Sequence, residues 1–202
     1  MSDPIPEFWK AIEDNDASTV ESLLKETPSL VQERYCGIAW QPKAQCDIHF
    51  TNTALHNAAV NSRVEIAEQL IRFGADVNAI GYEENKGLTP PIVLATWEGS
   101  IEIMKVLLES GADPNLAASA ESALYCAAEH LVPEKVELLL ANGARHDVFT
   151  AAILGEVGIV KKFLTAYPPL LNARSLKRNR TVREEAEHHK QTGVIKLLEI
   201  LE

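Results

Sequence analysis

An all-α fold of repeated helical pairs is predicted by three observations. The phrase IRFGADVNA at 71–79 returns as LESGADPNL at 108–116 and, more loosely, as LANGARHDV at 140–148. Each copy follows an apolar stretch, and in the first of these Val64, Ile66, Ala67, Leu70 and Ile71 recur at helical three-and-four spacing. Ahead of each stretch stands a shorter segment with a pair of small residues: Ala58-Ala59, Ala95-Thr96 and Ala127-Ala128.

Each part of the pattern has a local cause. A helix that buries an apolar stripe often ends at a residue in the left-handed conformation, where glycine carries no Cβ penalty. Gly74, Gly111 and Gly143 are therefore read as helix terminators. Asp76 with Asn78, and Asp113 with Asn115, suit the turn that must follow. Upstream, Thr53 and Ser122 are good N-caps, and Pro91 fits a first helical turn. Small residues in the short helices let neighbouring helices approach closely.

Turn, short helix, long helix, glycine and turn again is an order that resembles the ankyrin repeat. The stretch TALHNAA…VEIAEQLIRFGADVNA is similar to that family's consensus over its whole length. The resemblance implies helix–loop–helix units stacked side by side with hairpin-like fingers, because no single unit can bury its own apolar face. On this template the chain is one domain, 1–202, an all-α ankyrin-repeat solenoid of about six units. Their approximate spans are 4–32, 51–80, 89–116, 121–145, 147–173 and 180–202. The outer two are atypical, with Asn15 at a glycine site in the first and Thr181 capping a heavily charged sixth.

Departures from the template are informative. The alanine sites Ala11, Ala58, Ala95, Ala127, Ala151 and Ala186 are separated by 47, 37, 32, 24 and 35 residues, where the family repeats at about 33. The first finger, 33–50, is therefore enlarged, and the second, 80–90, is slightly long. The finger between repeats four and five is missing, so Asp147 is expected to cap the next helix directly. Pro28 and Pro168 stop the long helices of repeats one and five. At the bends inside repeats, Ser62, Leu131 and Lys190 stand where the family has glycine. A left-handed backbone is costly for such residues, most of all for Leu131. The bend is accordingly expected to be rebuilt around Leu131-Val132-Pro133, with Pro133 opening the next helix.

Composition narrows the function class. Hydrophobic residues are 46% and charged residues 24%, which points to a folded chain. No apolar run reaches the roughly 20 residues of a membrane helix, and MSDPIPEFWK lacks the basic and apolar regions of a signal peptide. Three scattered cysteines make no disulfide framework, so a cytoplasmic location is expected. A net charge of −10 argues against general affinity for a phosphate backbone.

The resemblance implies that partners lie against the finger tips and the outward face of the short helices. Carried over residue by residue, those outward positions are Val60-Asn61, Trp97-Glu98, Glu129-His130 and Ile153-Leu154. A tryptophan there is a rigid anchor of the kind that dominates binding energy; the alternative is that Trp97 packs on the 80–90 finger. Tyr35, Trp40 and Phe50 make the first finger aromatic, either as a binding element or as a small satellite core. Tyr82 with Glu83 and Glu84 forms an acidic tip, suited to a basic partner or simply to solubility.

Other constellations read as structure. Cys36, Cys46, His49 and His56 suggest zinc, but their C-x9-C-x2-H spacing lacks the paired ends of established zinc sites. Cys126 is a small core residue, and by the resemblance His56 is a structural histidine bridging adjacent repeats. His188-His189, beside Glu184, Glu185 and Glu187, is read as a solvated terminal cap in preference to a weak metal site. In RSLKRNRTVR the cations Arg174, Lys177, Arg178, Arg180 and Arg183 are read as paired with those same glutamates, against a phosphate-binding or acidic-partner reading.

There is no G-x-S-x-G elbow, phosphate-cradling glycine loop or H-E-x-x-H motif. The chain is expected to be a non-enzymatic scaffold or adaptor, with no metal and no cofactor. It would grip a protein or peptide through Trp97, Glu98, Trp40, Tyr82, Glu129 and His130, without membrane, nucleic acid or a small-molecule substrate. The alternative is a metal- or small-molecule-binding sensor or enzyme using the 33–50 finger.

Overall fold

The computed structural model describes residues 3–35, 52–83, 87–116, 122–176 and 178–201. The fold class is all-α, with antiparallel helix pairs as its repeating piece. Two compact units divide the chain, Met1–Ser119 and Ala120–Glu202.

In the N-terminal unit the helices are α1 (Pro4–Glu13), α2 (Ala17–Glu26), α3 (Ala54–Val60), α4 (Val64–Arg72), α5 (Pro91–Trp97) and α6 (Ile101–Glu109). They form two rows: α1 packs on α3 and α3 on α5, while α2 packs on α4 and α4 on α6. Small side chains set the spacing of the first row. Ala58, Ala59 and Ala95 are fully buried, as are the larger Leu55, Ile92 and Leu94 beside them. The second row contributes Leu24, Ile66, Leu70, Ile103, Met104 and Leu107 to the core.

The C-terminal unit repeats the plan with α7 (Ala123–Glu129), α8 (Pro133–Ala141), α9 (Val148–Leu154), α10 (Val157–Ala166), α11 (Val182–His188) and α12 (Thr192–Leu201). Here α7 packs on α9 and α9 on α11, and α10 packs on α12. Its core is Val148, Ala151, Ala152, Val160, Leu164, Val182, Ala186, Val194 and Leu198.

Gly74, Gly111 and Gly143 end their helices at φ of 91°, 91° and 86°. The turns beyond them are tied by side chains. Asp76 Oδ1 accepts from the Asn78 amide at 2.9 Å, and Asp113 Oδ1 accepts from that of Asn115 at 2.9 Å. Asn78 also links successive repeats: its Nδ2 donates to Gly111 O at 3.2 Å, and its Oδ1 accepts from the Asp113 amide at 2.9 Å.

Two fingers are described in the N-terminal unit. β1 (Arg34–Tyr35) pairs antiparallel with β2 (Asn52–Thr53), and β3 (Gly81–Glu83) pairs antiparallel with β4 (Gly87–Thr89), with Tyr82 opposite Leu88. Between α8 and α9 no strand intervenes, and Asp147 Oδ1 accepts from the Thr150 amide at 2.6 Å. Repeats one and five end alike: after α2 and α10 the chain makes short 3-10 helices, Pro28–Gln32 and Pro168–Asn172.

The bend in repeat four corrects the expectation. Leu131 is not rebuilt out of the left-handed region but sits in it, at φ 53°. Its amide donates to Ala128 O at 3.0 Å and the Val132 amide to Ala127 O at 3.2 Å. Asn15, Ser62, Gly155 and Lys190 make the same pair of bonds at their own bends, all with positive φ. Two hydrogen bonds that close the helix end therefore outweigh the strain of one residue. Pro133 does open α8, as expected.

Candidate partner-binding surface

Five of the six sequence-predicted site residues fall within the described residues; Trp40 lies outside them, as do Cys36, Cys46, His49 and Phe50 of the same finger. Trp97 is the last residue of α5. The helix is buried from Pro91 to Thr96, and Trp97 emerges half-buried, followed by exposed Glu98 at the C-cap. It ends there because the chain must turn tightly against its neighbour. Gly99 is so close to Ala59 O and to the backbone of Ala95 that a Cβ would overlap them, and the Ser100 amide donates to Ser62 Oγ at 2.8 Å.

Tyr82 lies on the β3–β4 hairpin that precedes α5, where it is 39% exposed. The hairpin is rooted in the preceding repeat. Asn52 Oδ1, itself buried, accepts from the Tyr82 amide at 3.0 Å. His56 Nε2 donates to Thr89 O at 3.1 Å, while its Nδ1 accepts from the Thr53 amide at 3.2 Å and faces the Thr53 hydroxyl at 2.8 Å. A carbonyl can only accept, so the imidazole is the neutral Nε2–H tautomer. Complete burial disfavours the charged ring, and the pKa falls to about 4. Gly81 is required beside this lock, since a Cβ there would run into Asn52 Oδ1 and the His56 ring.

Tyr35, at the base of the first finger, is a core residue. It is 4% exposed, its ring centroid lies 4.5 Å from that of Trp9, and its hydroxyl accepts from Asn57 Nδ2 at 3.2 Å. Arg63, which sequence reasoning passed over, ties repeats together: it donates to Glu13 O at 2.9 Å and to Asn57 Oδ1.

Glu129 and His130 lie in the C-terminal unit, at the end of α7. His130 is the exposed C-cap. Glu129 is engaged inside its own unit: Oε1 is 3.1 Å from Arg178 Nε and 3.9 Å from Arg180 Nη1, and Oε2 is 3.3 Å from His189 Nε2. A second carboxylate, Glu185, is fully buried and accepts from Tyr125 Oη at 3.1 Å, Ser175 Oγ at 3.2 Å and Arg180 Nη1 at 3.3 Å. Arg174 pairs with Glu184 at 3.2 Å and Arg183 with Glu187 at 3.8 Å. Arg174, Arg180 and Arg183 thus face the glutamates expected from the sequence, whereas Arg178 turns to Glu129 instead, and Lys177 lies outside the described residues. The terminal cap is less solvated than its sequence suggests, because Glu185 and His189 are packed inside it.

Such a structure defines a class before it defines a family: stacked helical pairs presenting fingers and helix ends, with side chains locked from behind. A family model for ankyrin repeats, in three copies, matches residues 8–118, and the chain belongs to the ankyrin repeat family. It is 32% identical over 104 residues to the ankyrin repeat and KH domain-containing protein CBG24701 of Caenorhabditis briggsae, covering 50% of this chain and 4% of that protein. To mask-1 of Caenorhabditis elegans, also named for ankyrin repeats and KH domains, it is 28% identical over 211 residues, 93% of this chain and 8% of the relative. To human ankyrin repeat and SOCS box protein 16 it is 39% identical over 77 residues, 37% of this chain and 16% of the relative. The chain thus spans a small fraction of the length of these relatives. Ankyrin repeats are in general protein–protein interaction modules. No helix among the described residues is long and apolar enough to cross a membrane.

Proposed function

We propose that this protein is a non-enzymatic adaptor that grips a protein or peptide partner, with Trp97 as the central anchor of its N-terminal unit. The observation that carries this reading is the abrupt change at the end of α5, where six buried residues give way to a half-buried tryptophan and an exposed Glu98. A large ring with an apolar body and a polar N–H is suited to a partner's pocket. It stands on a scaffold already fixed by Gly99 and Ser62, so little ordering entropy is lost on contact.

Tyr82, on the neighbouring hairpin, supplies a second aromatic contact, and Glu98 favours a basic group on the partner. Trp40 would extend the surface from the first finger. His130 is the corresponding contact of the C-terminal unit, with Glu129 behind it. The partner is a protein or peptide, and no small-molecule substrate or nucleic acid is needed. Affinity capture from the source lysate with wild type and Trp97→Ala tests the reading. Loss of the principal captured protein is expected; an unchanged set, in identity and amount, removes Trp97 as the anchor.

A further inference from the structure

In the C-terminal unit, the ends of two helices converge on three side chains with metal-ligating atoms. Glu129 closes α7, His188 closes α11, and His189 is the C-cap that follows. One ligand atom from each lies within 4.8 Å of the others. The two imidazoles meet edge to face, with ring centroids 4.9 Å apart. We propose that Glu129, His188 and His189 form a site for one divalent transition-metal ion of the zinc class, held by two imidazole nitrogens and one carboxylate oxygen with the remaining position open to water.

The donor set selects the ion. Two nitrogens and one oxygen suit zinc and its neighbours in the first transition row, whereas calcium and magnesium require shells of oxygen. Two of the three ligands are already positioned. The Glu129 and His189 side chains are 11% and 5% exposed, and Oε2 already faces Nε2 at 3.3 Å. Arg178 Nε holds the other carboxylate oxygen at 3.1 Å, which leaves Oε2 to serve as a single-oxygen ligand; outer hydrogen bonds of this kind orient metal-binding carboxylates. Ligand atoms around tetrahedral zinc stand about 3.3 Å apart, so the remaining closure is roughly 1–2 Å. His188 is exposed and can supply it by side-chain rotation. Both helices also end here, where their dipoles favour positive charge.

In the sequence, His188-His189 stand beside Glu184, Glu185 and Glu187. The structure sends those three to Arg174, Arg180 and Arg183 and brings in Glu129 from repeat four. A bound ion would tie α11 to α7 and so fasten the sixth repeat to the fourth.

The test is titration of the whole chain with Zn²⁺ by calorimetry, alongside thermal melts with Zn²⁺ or Mg²⁺. To silence the cysteines of the first finger, the background carries Cys36→Ser and Cys46→Ser. One Zn²⁺ per chain, a rise in Tm with Zn²⁺ and none with Mg²⁺ are expected. His188→Ala should leave the metal-free Tm unchanged and weaken binding about tenfold or more, and Glu129→Gln should weaken it comparably. Absence of Zn²⁺ binding overturns the proposal, as does an isotherm that His188→Ala leaves intact.

Discussion

At the residue scale, two positions carry costs that can be measured. His56 is neutral and enclosed in the folded chain, with its pKa pushed to about 4, against about 6.5 in the unfolded chain. Unfolded chains therefore take up the proton first as the pH falls. The stability contribution is complete above pH 6.5 and is lost on the way to pH 4, a difference of about 3 kcal/mol. Urea denaturation at pH 7 and pH 5 should show most of this loss, and His56→Gln should remove the slope while lowering stability at pH 7. Leu131 presents the opposite case. It is 64% exposed, so truncating it forfeits little burial, yet it holds a left-handed backbone that costs about 1–2 kcal/mol. Leu131→Gly should raise stability by about 0.5–1 kcal/mol after allowing for glycine's greater freedom when unfolded, visible as a higher Tm.

The same residues show what a single chain of letters conveys. A positive φ at Leu131 runs against its intrinsic preference, and two main-chain bonds made elsewhere in the helix decide it. At Gly99 the glycine falls where the repeat's bend would use a left-handed backbone, but it is not among the positive-φ residues. It serves instead to let Ala59 O come near. Both outcomes depend on neighbours that propensity does not contain.

At the element scale, helix pairs, terminating glycines and the Asp147 cap were legible because each rests on contacts a few residues apart. The buried polar network of the C-terminal unit was not, since Glu185 draws its partners from Tyr125, Ser175 and Arg180, and Tyr125 is remote in sequence. Its neighbour Glu184 forms a capping box instead: the Thr181 amide donates to Glu184 Oε2 at 2.7 Å and the Glu184 amide to Thr181 Oγ1 at 3.2 Å. Arg180→Ala would leave Glu185 enclosed with hydroxyl partners alone. That should cost about 2–3 kcal/mol at neutral pH, read from chemical denaturation, whereas Thr181→Ala should cost about 1 kcal/mol.

For the whole molecule, stability in a repeat array is a sum of local terms and nearest-neighbour interfaces. Ala58 is fully buried in α3, which packs on α1 and α5. Ala58→Leu should overfill that seam by about 1–3 kcal/mol. Hydrogen exchange should then report lost protection in α1, α3 and α5, with α9 to α12 keeping theirs. Equal loss from α1 through α12 would mean that the array melts as one block. Function at this scale was legible only as a class, because a scaffold's sequence records how it stacks and not whom it meets.

The twin endings of repeats one and five carry one more consequence. TPSLVQ and YPPLLN share little more than a proline and a leucine, yet Thr27 and Tyr167 adopt nearly the same dihedrals, −137°, 78° and −145°, 83°. Their 3-10 helices close through matching bonds from Leu30 and Leu170. Each hands the backbone on to an extended residue, Glu33 or Ala173, without recourse to glycine. A chimera that trades the two hexapeptides should keep the backbone path at both junctions, at a packing cost set by Leu30 and Val31, which are buried where Leu170 and Leu171 are only half-buried.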